Sequence, residues 1–176
     1  MSANPAGESA IIVPVEVPVA VGRLRDRLDP VAALGVPAHV TLLYPFMPPA
    51  LLSAEVRSRV GAIVGAEPGF SFVMRRMQRW PEVVWLAPEP DAPFRRLIAA
   101  LAAEFPDYPP YGGAHEEVIP HVTIAADPRP GWLEAAERAL PAMLPIRDVA
   151  REAQLIVQSG GAQWQVLWRL PLGSGQ

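Results

Sequence analysis

Short runs of apolar residues alternate along this chain with longer segments whose apolar positions recur every three or four residues. The runs predict strands at residues 10–17, 70–78, 83–87, 148–158 and 163–170, and two short ones at 40–43 and 122–125. The longer segments predict helices at 21–28, 52–64, 94–105 and 131–140. Helices and strands mixed in this way along one chain indicate an α+β fold.

Proline and glycine mark the ends of these segments. Asp29-Pro30 ends the first helix and Pro106 the third, because the residue before a proline avoids helical conformation. Pro141 halts or kinks the fourth helix. Gly160-Gly161 stands where the last two strands need a hairpin turn.

The chain contains two threonines, and each stands two residues after a histidine. The first motif reads His39-Val40-Thr41-Leu42 and the second His121-Val122-Thr123-Ile124. In a strand, successive side chains point to opposite faces, so the histidine and threonine of each motif share one face. An antiparallel sheet with helices on its other face would line a cleft with two imidazoles and two hydroxyls.

These four groups suit proton transfer at a phosphoryl centre. A neutral imidazole takes a proton from an attacking oxygen, and a protonated one gives a proton to the leaving oxygen. Threonine hydroxyls hydrogen-bond the non-bridging oxygens as negative charge builds on them. The scheme requires neither a metal nor a cofactor. A single such motif is better explained as an ordinary strand, but its repetition favours the functional interpretation.

The motifs lie 82 residues apart, from 39 to 121, and each precedes a predicted helix and two predicted strands. This order indicates an internal duplication of topology with little sequence identity. We therefore expect two pseudo-symmetric lobes, each an antiparallel sheet with helices on its outer face, enclosing a central cleft. In-line displacement at phosphorus places the entering and leaving oxygens on opposite sides. One histidine would therefore transfer a proton at the entering oxygen and the other at the leaving oxygen. The sequence leaves open which histidine is the base and which the acid.

The stretches 37–46 (Pro-Ala-His-Val-Thr-Leu-Leu-Tyr-Pro-Phe) and 119–124 (Ile-Pro-His-Val-Thr-Ile) resemble the two-histidine (2H) phosphoesterase superfamily. Within it they are similar to the 2′,5′ RNA ligase-like and cyclic phosphodiesterase branch, and the resemblance extends over most of the chain. It implies that the two histidines act as acid and base and that the two threonines bind phosphate. It also implies that a 2′,3′-cyclic phosphate, at an RNA end or on a small nucleotide, is opened to a 2′-phosphate.

Composition narrows the classes of function. The absence of cysteine excludes a thiol nucleophile and a cysteine-bound metal, and the absence of lysine excludes the nucleotidyl-lysine route of ATP-dependent ligases. A net charge of −3 argues against an extensive basic surface for long nucleic acid, DNA included. The apolar stretch 10–21 has no basic n-region before it and contains two prolines and a glutamate, so it indicates neither a signal nor a membrane span. We expect a cytoplasmic monomer without a membrane partner, with residues 1–9 a disordered leader and 10–176 a single bilobal domain.

Five further residues are candidates for substrate binding. Phe46 and Tyr111 are expected to flank the mouth of the cleft. Arg79 and Trp80, at the end of a predicted strand, are candidates for a phosphate contact and for stacking against a base. Packing of the Arg79 side chain over a half-buried Trp80 is the alternative. Tyr44 lies three residues after the first threonine and so on the opposite strand face, which favours packing over ligand contact.

The third histidine, His115, precedes two glutamates but lacks the spacing and helix of a His-Glu-x-x-His metal site, so we expect an exposed loop. The segment 108–114 is a candidate mobile flap beside the second motif. A non-catalytic nucleotide-binding module, a 2′,5′ ligase and a hydrolase of a cyclic ADP-ribose phosphate remain as alternatives. Intact His-x-Thr pairs favour an enzyme, since binding alone does not require two proton-transfer groups.

Overall fold

A computed structural model of the chain describes residues 7–115, 117–126, 129, 131–158 and 163–174. In these residues the strands are β1 (Glu8–Pro14), β2 (His39–Leu43), β3 (Phe70–Trp80), β4 (Val83–Glu89), β5 (Val122–Ala125), β6 (Ile146–Ala150), β7 (Glu152–Gln158) and β8 (Gln165–Pro171). The α-helices are α1 (Val19–Leu28), α2 (Ala54–Ala66), α3 (Ala92–Glu104) and α4 (Trp132–Ala139). Short 3₁₀ turns lie between them, among them Pro110–Gly113 before β5.

The strands form one antiparallel sheet in the order β6-β3-β4-β5-β2-β1-β7-β8. The two motif strands, β2 and β5, lie at its centre and pair through Val40 and Val122. Each motif strand therefore ends a four-stranded half, and the narrow β2–β5 pairing joins the halves. The predicted α+β class with two antiparallel halves is confirmed, with the difference that one continuous sheet replaces two separate ones.

The duplication is real in topology but differs from the predicted repeat of motif, helix, strand and strand. The first unit is β1-α1-β2-α2-β3 and the second is β4-α3-β5-α4-β6. β3 of the first unit lies in the half of the second, where it pairs with β4, and β7, which follows the second unit, pairs with β1 of the first. The helices cross over as well, α1 contacting β5 and α3 contacting β2. The two halves are therefore connected through both strand pairing and helix packing.

The apolar positions of the motif strands are buried under the helices. Val40, Leu42, Val122 and Ile124 are almost wholly inaccessible, whereas the histidine and threonine of each motif are half-buried on the other face. Phe94 of α3 is fully buried in the same core. Burying a phenylalanine side chain contributes about 1.5–3 kcal/mol, so packing on this face stabilises the sheet. The opposite face is left for the candidate site.

Several helices and strands begin at residues other than those predicted, and the structure shows why. α2 begins at Ala54 and not at residue 52, because the Ser53 side chain caps the helix by accepting the amide of Val56 at 3.3 Å. β1 begins at Glu8, and the buried Ser9 hydroxyl donates to the carbonyl of Met47 at 2.6 Å, so part of the expected leader is structured. Residues 1–6 and the predicted Gly160-Gly161 turn lie outside the described residues.

The predicted strand 148–158 proves to be two strands. β6 pairs with β3 at one edge of the sheet, and β7 pairs with β1 in the other half. Arg151 lies between them, so the chain changes partners within one residue of a continuous extended run. Periodicity reports which residues are buried and not which strand they join, so this division was not visible in the sequence.

Candidate active site

The four motif side chains come together where the two halves meet. Val40 and Val122 are partners across β2 and β5. Because the strands are antiparallel, extending this register by one residue sets His39 across from Thr123 and Thr41 across from His121. Neighbouring strands lie about 4.8 Å apart, so the two imidazoles and two hydroxyls share one small patch of the open face.

Both imidazoles are held in the same way. The Nδ1 of His39 donates to the carbonyl oxygen of Pro37, and the Nδ1 of His121 donates to that of Ile119, each at 2.8 Å. A carbonyl oxygen only accepts, so Nδ1 carries the proton in the neutral ring. Each bond reaches back two residues along the chain and fixes the ring orientation at the start of its motif. Nε2 is thereby the nitrogen available for proton transfer in both rings.

The two histidines titrate below their ordinary range. Burial lowers the pKa of His39 to about 4, the Pro37 carbonyl opposes this, and the charges of Arg25 and His121 lower the pKa further. Burial also lowers the pKa of His121, against the effect of the Ile119 carbonyl. Both rings are therefore mainly neutral at neutral pH, and the protonated form of either is a comparatively strong acid.

A buried arginine stands behind His39. Arg25 of α1 is 4% exposed, its Nη1 donates to the carbonyl of Val36 at 2.8 Å, and its Nη2 lies 2.8 Å from Oδ2 of Asp29. Burial raises the pKa of Asp29, while the Arg25 charge lowers it. The sequence analysis did not single out this pair. The available signal was an arginine and an aspartate four residues apart on the helix face that carries Leu24 and Leu28.

Two tryptophans surround His121. The ring centroids of Trp80 and His121 are 4.8 Å apart, and those of Trp85 and His121 are 5.8 Å apart, both in edge-to-face arrangements. Trp85 is the cross-strand partner of Thr123. Its indole N–H is buried without an acceptor in the described part of the chain. Unpaired buried donors are rare, and ligand sites are one place where they occur.

A cavity of about 460 Å³ opens beside His121. Its lining combines aromatic, apolar and a few polar side chains: Trp80, Pro81, Tyr111, His115, Glu117, Val118, Ile119 and His121. This is the size and composition of a small-molecule site. Val118 and Ile119 lead directly into the second motif, so the cavity and the second His-x-Thr pair share one segment of chain.

Tyr111 connects the cavity to the first motif. Burial raises the pKa of the Tyr111 hydroxyl, and a hydrogen bond with the Thr41 side chain lowers it. Its backbone amide donates to the carbonyl of Tyr44, and its φ of 53° lies in the left-handed region. A tyrosine in that conformation is uncommon, and such residues concentrate at functional sites. Gly112 and Gly113 continue the left-handed path, which glycine adopts without a steric cost.

The other sequence candidates are placed differently. Trp80 and Tyr111 line the cavity, but Phe46 is buried in the core against Phe105 at 5.1 Å between centroids, so it does not flank the cleft. Arg79 points to the helix side, where its guanidinium pairs with Glu137 of α4 at 2.6 Å. Neighbours on a strand face opposite ways, so Trp80 reaches the cavity and Arg79 does not.

Tyr44 packs on the open face beside Trp164, with ring centroids 6.3 Å apart. The prediction that it lies on the face opposite Thr41 is wrong, because β2 ends at Leu43 and the strand alternation does not extend to Tyr44. Its hydroxyl donates to Glu8 at 2.8 Å, and burial raises the pKa of that hydroxyl to about 12. Tyr44 therefore supports the loop of Tyr111 through its carbonyl and is not among the residues lining the cavity.

His115 is exposed on the loop, and its ring lies edge-to-face with Tyr111 at 5.7 Å. Among the described residues, no group of three or more histidine, aspartate or glutamate side chains is arranged to hold a metal ion. No helix in the described part of the chain is long and apolar enough to cross a membrane.

Two oriented imidazoles and two threonine hydroxyls at the junction of two antiparallel halves define the class of two-histidine phosphoesterases. The family model of the 2′-5′ RNA ligase superfamily matches residues 13–162, and the chain belongs to that family. The resemblance seen in the motifs is thus confirmed. The superfamily comprises phosphoesterases and RNA ligase-like enzymes. No match was found among curated protein sequences.

Solved structures share the fold over nearly the whole chain. TT0787 of Thermus thermophilus is 19% identical with a TM-score of 0.61, covering 96% of this chain and 100% of that one. Apo E. coli LigT is 18% identical with a TM-score of 0.58, covering 96% and 98%. Kluyveromyces marxianus Usb1 is 13% identical with a TM-score of 0.50, covering 93% and 97%.

Proposed function

We propose that this protein is a metal-independent cyclic phosphodiesterase that opens a 2′,3′-cyclic phosphate, on a small nucleotide or at an RNA end, to a 2′-phosphate. The observation that carries the proposal is the matched pair of imidazoles. Each donates its Nδ1 proton to a backbone carbonyl at 2.8 Å and keeps Nε2 for chemistry. One ring takes the proton of the attacking water and the other gives a proton to the departing ribose oxygen.

The hydroxyls of Thr41 and Thr123 bind the non-bridging oxygens of the phosphoryl group in this scheme. Charge grows on those oxygens in the transition state, and donors held by the sheet need no reorganisation to meet it. Tyr111, whose hydroxyl contacts Thr41, adds a third hydroxyl on the same side. No step needs a metal, because the imidazoles perform both proton transfers and the hydroxyls stabilise the charge.

The cavity beside His121 supports a nucleotide as the substrate. Trp80 and Tyr111 offer aromatic surfaces to a base, and stacking of this kind tolerates any base. E. coli LigT, which has the same fold, has been crystallised with 3′-AMP, ATP, NADP+ and phosphate. Binding of nucleotides by that protein is consistent with the aromatic lining found here.

The same geometry run in reverse, with an RNA hydroxyl in place of water, forms a 2′,5′ bond. A cyclic ADP-ribose phosphate presents the same five-membered phosphate ring. The ligase reaction and the ADP-ribose reaction involve the same cyclic phosphate and differ from the proposed reaction in the groups that surround it. The oriented Nε2 atoms support any of the three reactions over a module that only binds.

The first test is phosphorus NMR of the purified protein with EDTA and each of the four nucleoside 2′,3′-cyclic monophosphates. The control is a variant with both His39→Ala and His121→Ala, which leaves the helix-covered core untouched. Either single substitution should reduce the rate about 10² to 10⁴-fold, as expected for one lost proton-transfer group.

Conversion to a 2′-phosphate by the wild type, and not by the double variant, would support the proposed reaction and its regiochemistry. Loss of turnover on adding EDTA would refute the metal-free scheme. Turnover only with longer RNA ends or with ADP-ribose cyclic phosphate would replace the small-nucleotide substrate. Binding without turnover of any of these would leave the binding module as the better explanation.

A further inference from the structure

A single carboxylate stands in the lining of the cavity beside His121. Among the described residues that line this cavity, Glu117 alone carries a formal charge at pH 7, with histidine counted as neutral. Trp80 and Tyr111 give the cavity aromatic walls. An ionised carboxylate only accepts hydrogen bonds, so it repels phosphate and attracts donors. The cavity therefore favours the base of a nucleotide over a second phosphate group.

Glu117 is held in place by an ion-pair network, although its side chain is 70% exposed. Nη1 of Arg95 donates to Oε1 of Glu117 at 2.7 Å, and Nε of Arg95 donates to Oδ2 of Asp91 at 2.6 Å. Asp91 and Arg95 are four residues apart at the start of α3, so the helix fixes the guanidinium. Oε2 of Glu117 has no partner in the described part of the chain and is open to a ligand.

Glu117 is also within reach of a base whose phosphate lies between the two motifs. Residues 118–120 link Glu117 to His121 without helical structure, and four extended residues span at most about 14 Å. The cavity of about 460 Å³ is lined by both ends of this segment. A nucleoside extends over a comparable length from its cyclic phosphate to the outer edge of its base. The aromatic walls would then face the base, and Glu117 its edge.

Stacking on the aromatic walls tolerates any base, so discrimination between bases falls to the polar contact. A carboxylate presents two acceptor oxygens side by side and pairs best with two neighbouring donors. Guanine carries such donors on its Watson–Crick edge, the N1–H and the N2 amino group. Adenine, cytosine and uracil each place an acceptor beside the donor on that edge, and a carboxylate repels it.

We propose that Glu117 is a specificity-determining residue that selects guanine, so that the preferred substrate is a 2′,3′-cyclic phosphate carried by guanosine, as a mononucleotide or at an RNA end. The inference names the substrate of the proposed reaction and therefore rests on the proposed function. Glu117 accepts the N1–H and the N2 amino group of the base and takes no part in proton transfer. Its effect should therefore appear in substrate affinity and not in the chemical step.

A first experiment measures binding without turnover. The 2′-monophosphates of guanosine, adenosine and inosine are titrated into the wild type by calorimetry. Guanosine 2′-monophosphate should bind about 10- to 100-fold more tightly than the adenosine compound, the discrimination expected of a bidentate pair. The inosine compound, whose base lacks the N2 amino group, should bind about tenfold less tightly than that of guanosine, as expected for one lost hydrogen bond to a charged acceptor.

The test variant is Glu117→Gln, which keeps the size of the side chain but replaces one acceptor oxygen with an NH₂ donor. It should bring the affinities for the guanosine and adenosine compounds to within about threefold of each other. Because Glu117 is exposed, the substitution should leave the fold intact. Glu104→Gln is the matched control, since Glu104 also accepts from an arginine, Arg59 at 2.6 Å, but is not among the residues lining the cavity. It should leave all three affinities unchanged.

A second experiment measures turnover of the four nucleoside 2′,3′-cyclic phosphates and of a base-free ribose cyclic phosphate. Glu117→Gln should raise KM for the guanosine substrate about 10- to 100-fold and leave kcat within about threefold of wild type. The base-free substrate should be turned over equally by both proteins. A loss of kcat on every substrate would overturn the proposal, because Glu117 would then act on the reacting groups and not on the base.

Equal binding of the guanosine and adenosine compounds by the wild type would also overturn the proposal, as would the absence of binding of all three. A preference for guanosine that survives Glu117→Gln would overturn the role of Glu117, since another group would then recognise the base. Absence of turnover of every cyclic phosphate, together with a guanosine preference that Glu117→Gln abolishes, would refute the proposed function and support the guanine site.

Discussion

The buried imidazole of His39 should make the stability of the folded protein depend on pH, with a lower free energy of unfolding in acid. Burial lowers the pKa of His39 from 6.5 to about 4 in the folded state. Between these pH values the unfolded chain binds a proton at this residue and the folded chain does not. Stability is therefore fully retained above pH 6.5, falls as the pH drops toward 4, and levels off below it.

The magnitude follows from the separation of the two pKa values. At about 1.36 kcal/mol per pH unit, the interval from 6.5 to about 4 corresponds to about 3 kcal/mol. This is a large share of the roughly 5–15 kcal/mol that stabilises a typical domain. The buried Asp29 works in the opposite direction, since burial raises its pKa. Asp29 is present in the wild type and in variants at position 39, so its effect on the pH dependence of stability cancels when these proteins are compared.

Urea unfolding followed by tryptophan fluorescence, at several values between about pH 7.5 and pH 4, measures the effect. The variant is His39→Asn, whose amide nitrogen replaces Nδ1 as the donor to the Pro37 carbonyl but does not titrate. The free energy of unfolding of the wild type should fall by about 3 kcal/mol more than that of the variant over this range. His115→Asn, at an exposed position, is the matched control. Parallel pH dependence of wild type and His39→Asn would refute the reasoning.

Four further outcomes are expected. The pH profile of kcat/KM should be bell-shaped with both limbs below pH 6.5, because burial lowers the pKa of both imidazoles. Trp80→Ala should raise KM about 5- to 150-fold for nucleotides, the equivalent of about 1–3 kcal/mol of stacking, and should not affect a base-free ribose cyclic phosphate. Arg79→Ala should leave kcat/KM within about twofold of wild type, since the guanidinium pairs with helix α4 away from the cavity; a larger loss would contradict its placement. Phe94→Ala should cost about 3–5 kcal/mol in urea unfolding, because the ring is fully buried and packs edge-to-face on Phe70 and Phe72.

Much of the fold could be read from local patterns. The helix spacing and the alternation of apolar residues located the four helices and most strands to within a few residues. The motif strands were predictable because Val40 and Val122 are β-branched and the alternate positions are polar. The cap at Ser53 and the reach of β3 to Trp80 depend on local hydrogen bonds that a periodicity argument does not contain.

The candidate site was predictable only in its repeated part. The two histidines and two threonines stand out because they form a repeated motif, whereas Arg25 and Trp85 belong to no repeated motif. Arg25 reaches the turn before His39 through α1, and Trp85 reaches Thr123 through the pairing of β4 with β5. Both contacts join residues that are distant in sequence or belong to different elements, so no local sequence pattern predicts them.

The sequence by itself determined that the chain is α+β, that its topology is duplicated, and that a His-x-Thr motif occurs twice, because alternation and repetition are properties of the chain order. Only the tertiary structure decided which side chains accompany each pair. β3 and β7 exchange halves, α1 and α3 cover each other's motif strands, and neighbours on one strand, Arg79 and Trp80, end on opposite faces. The physical reason is that burial and charge act through space. The arginine behind His39 and the tryptophans beside His121 break the symmetry that the two motifs share.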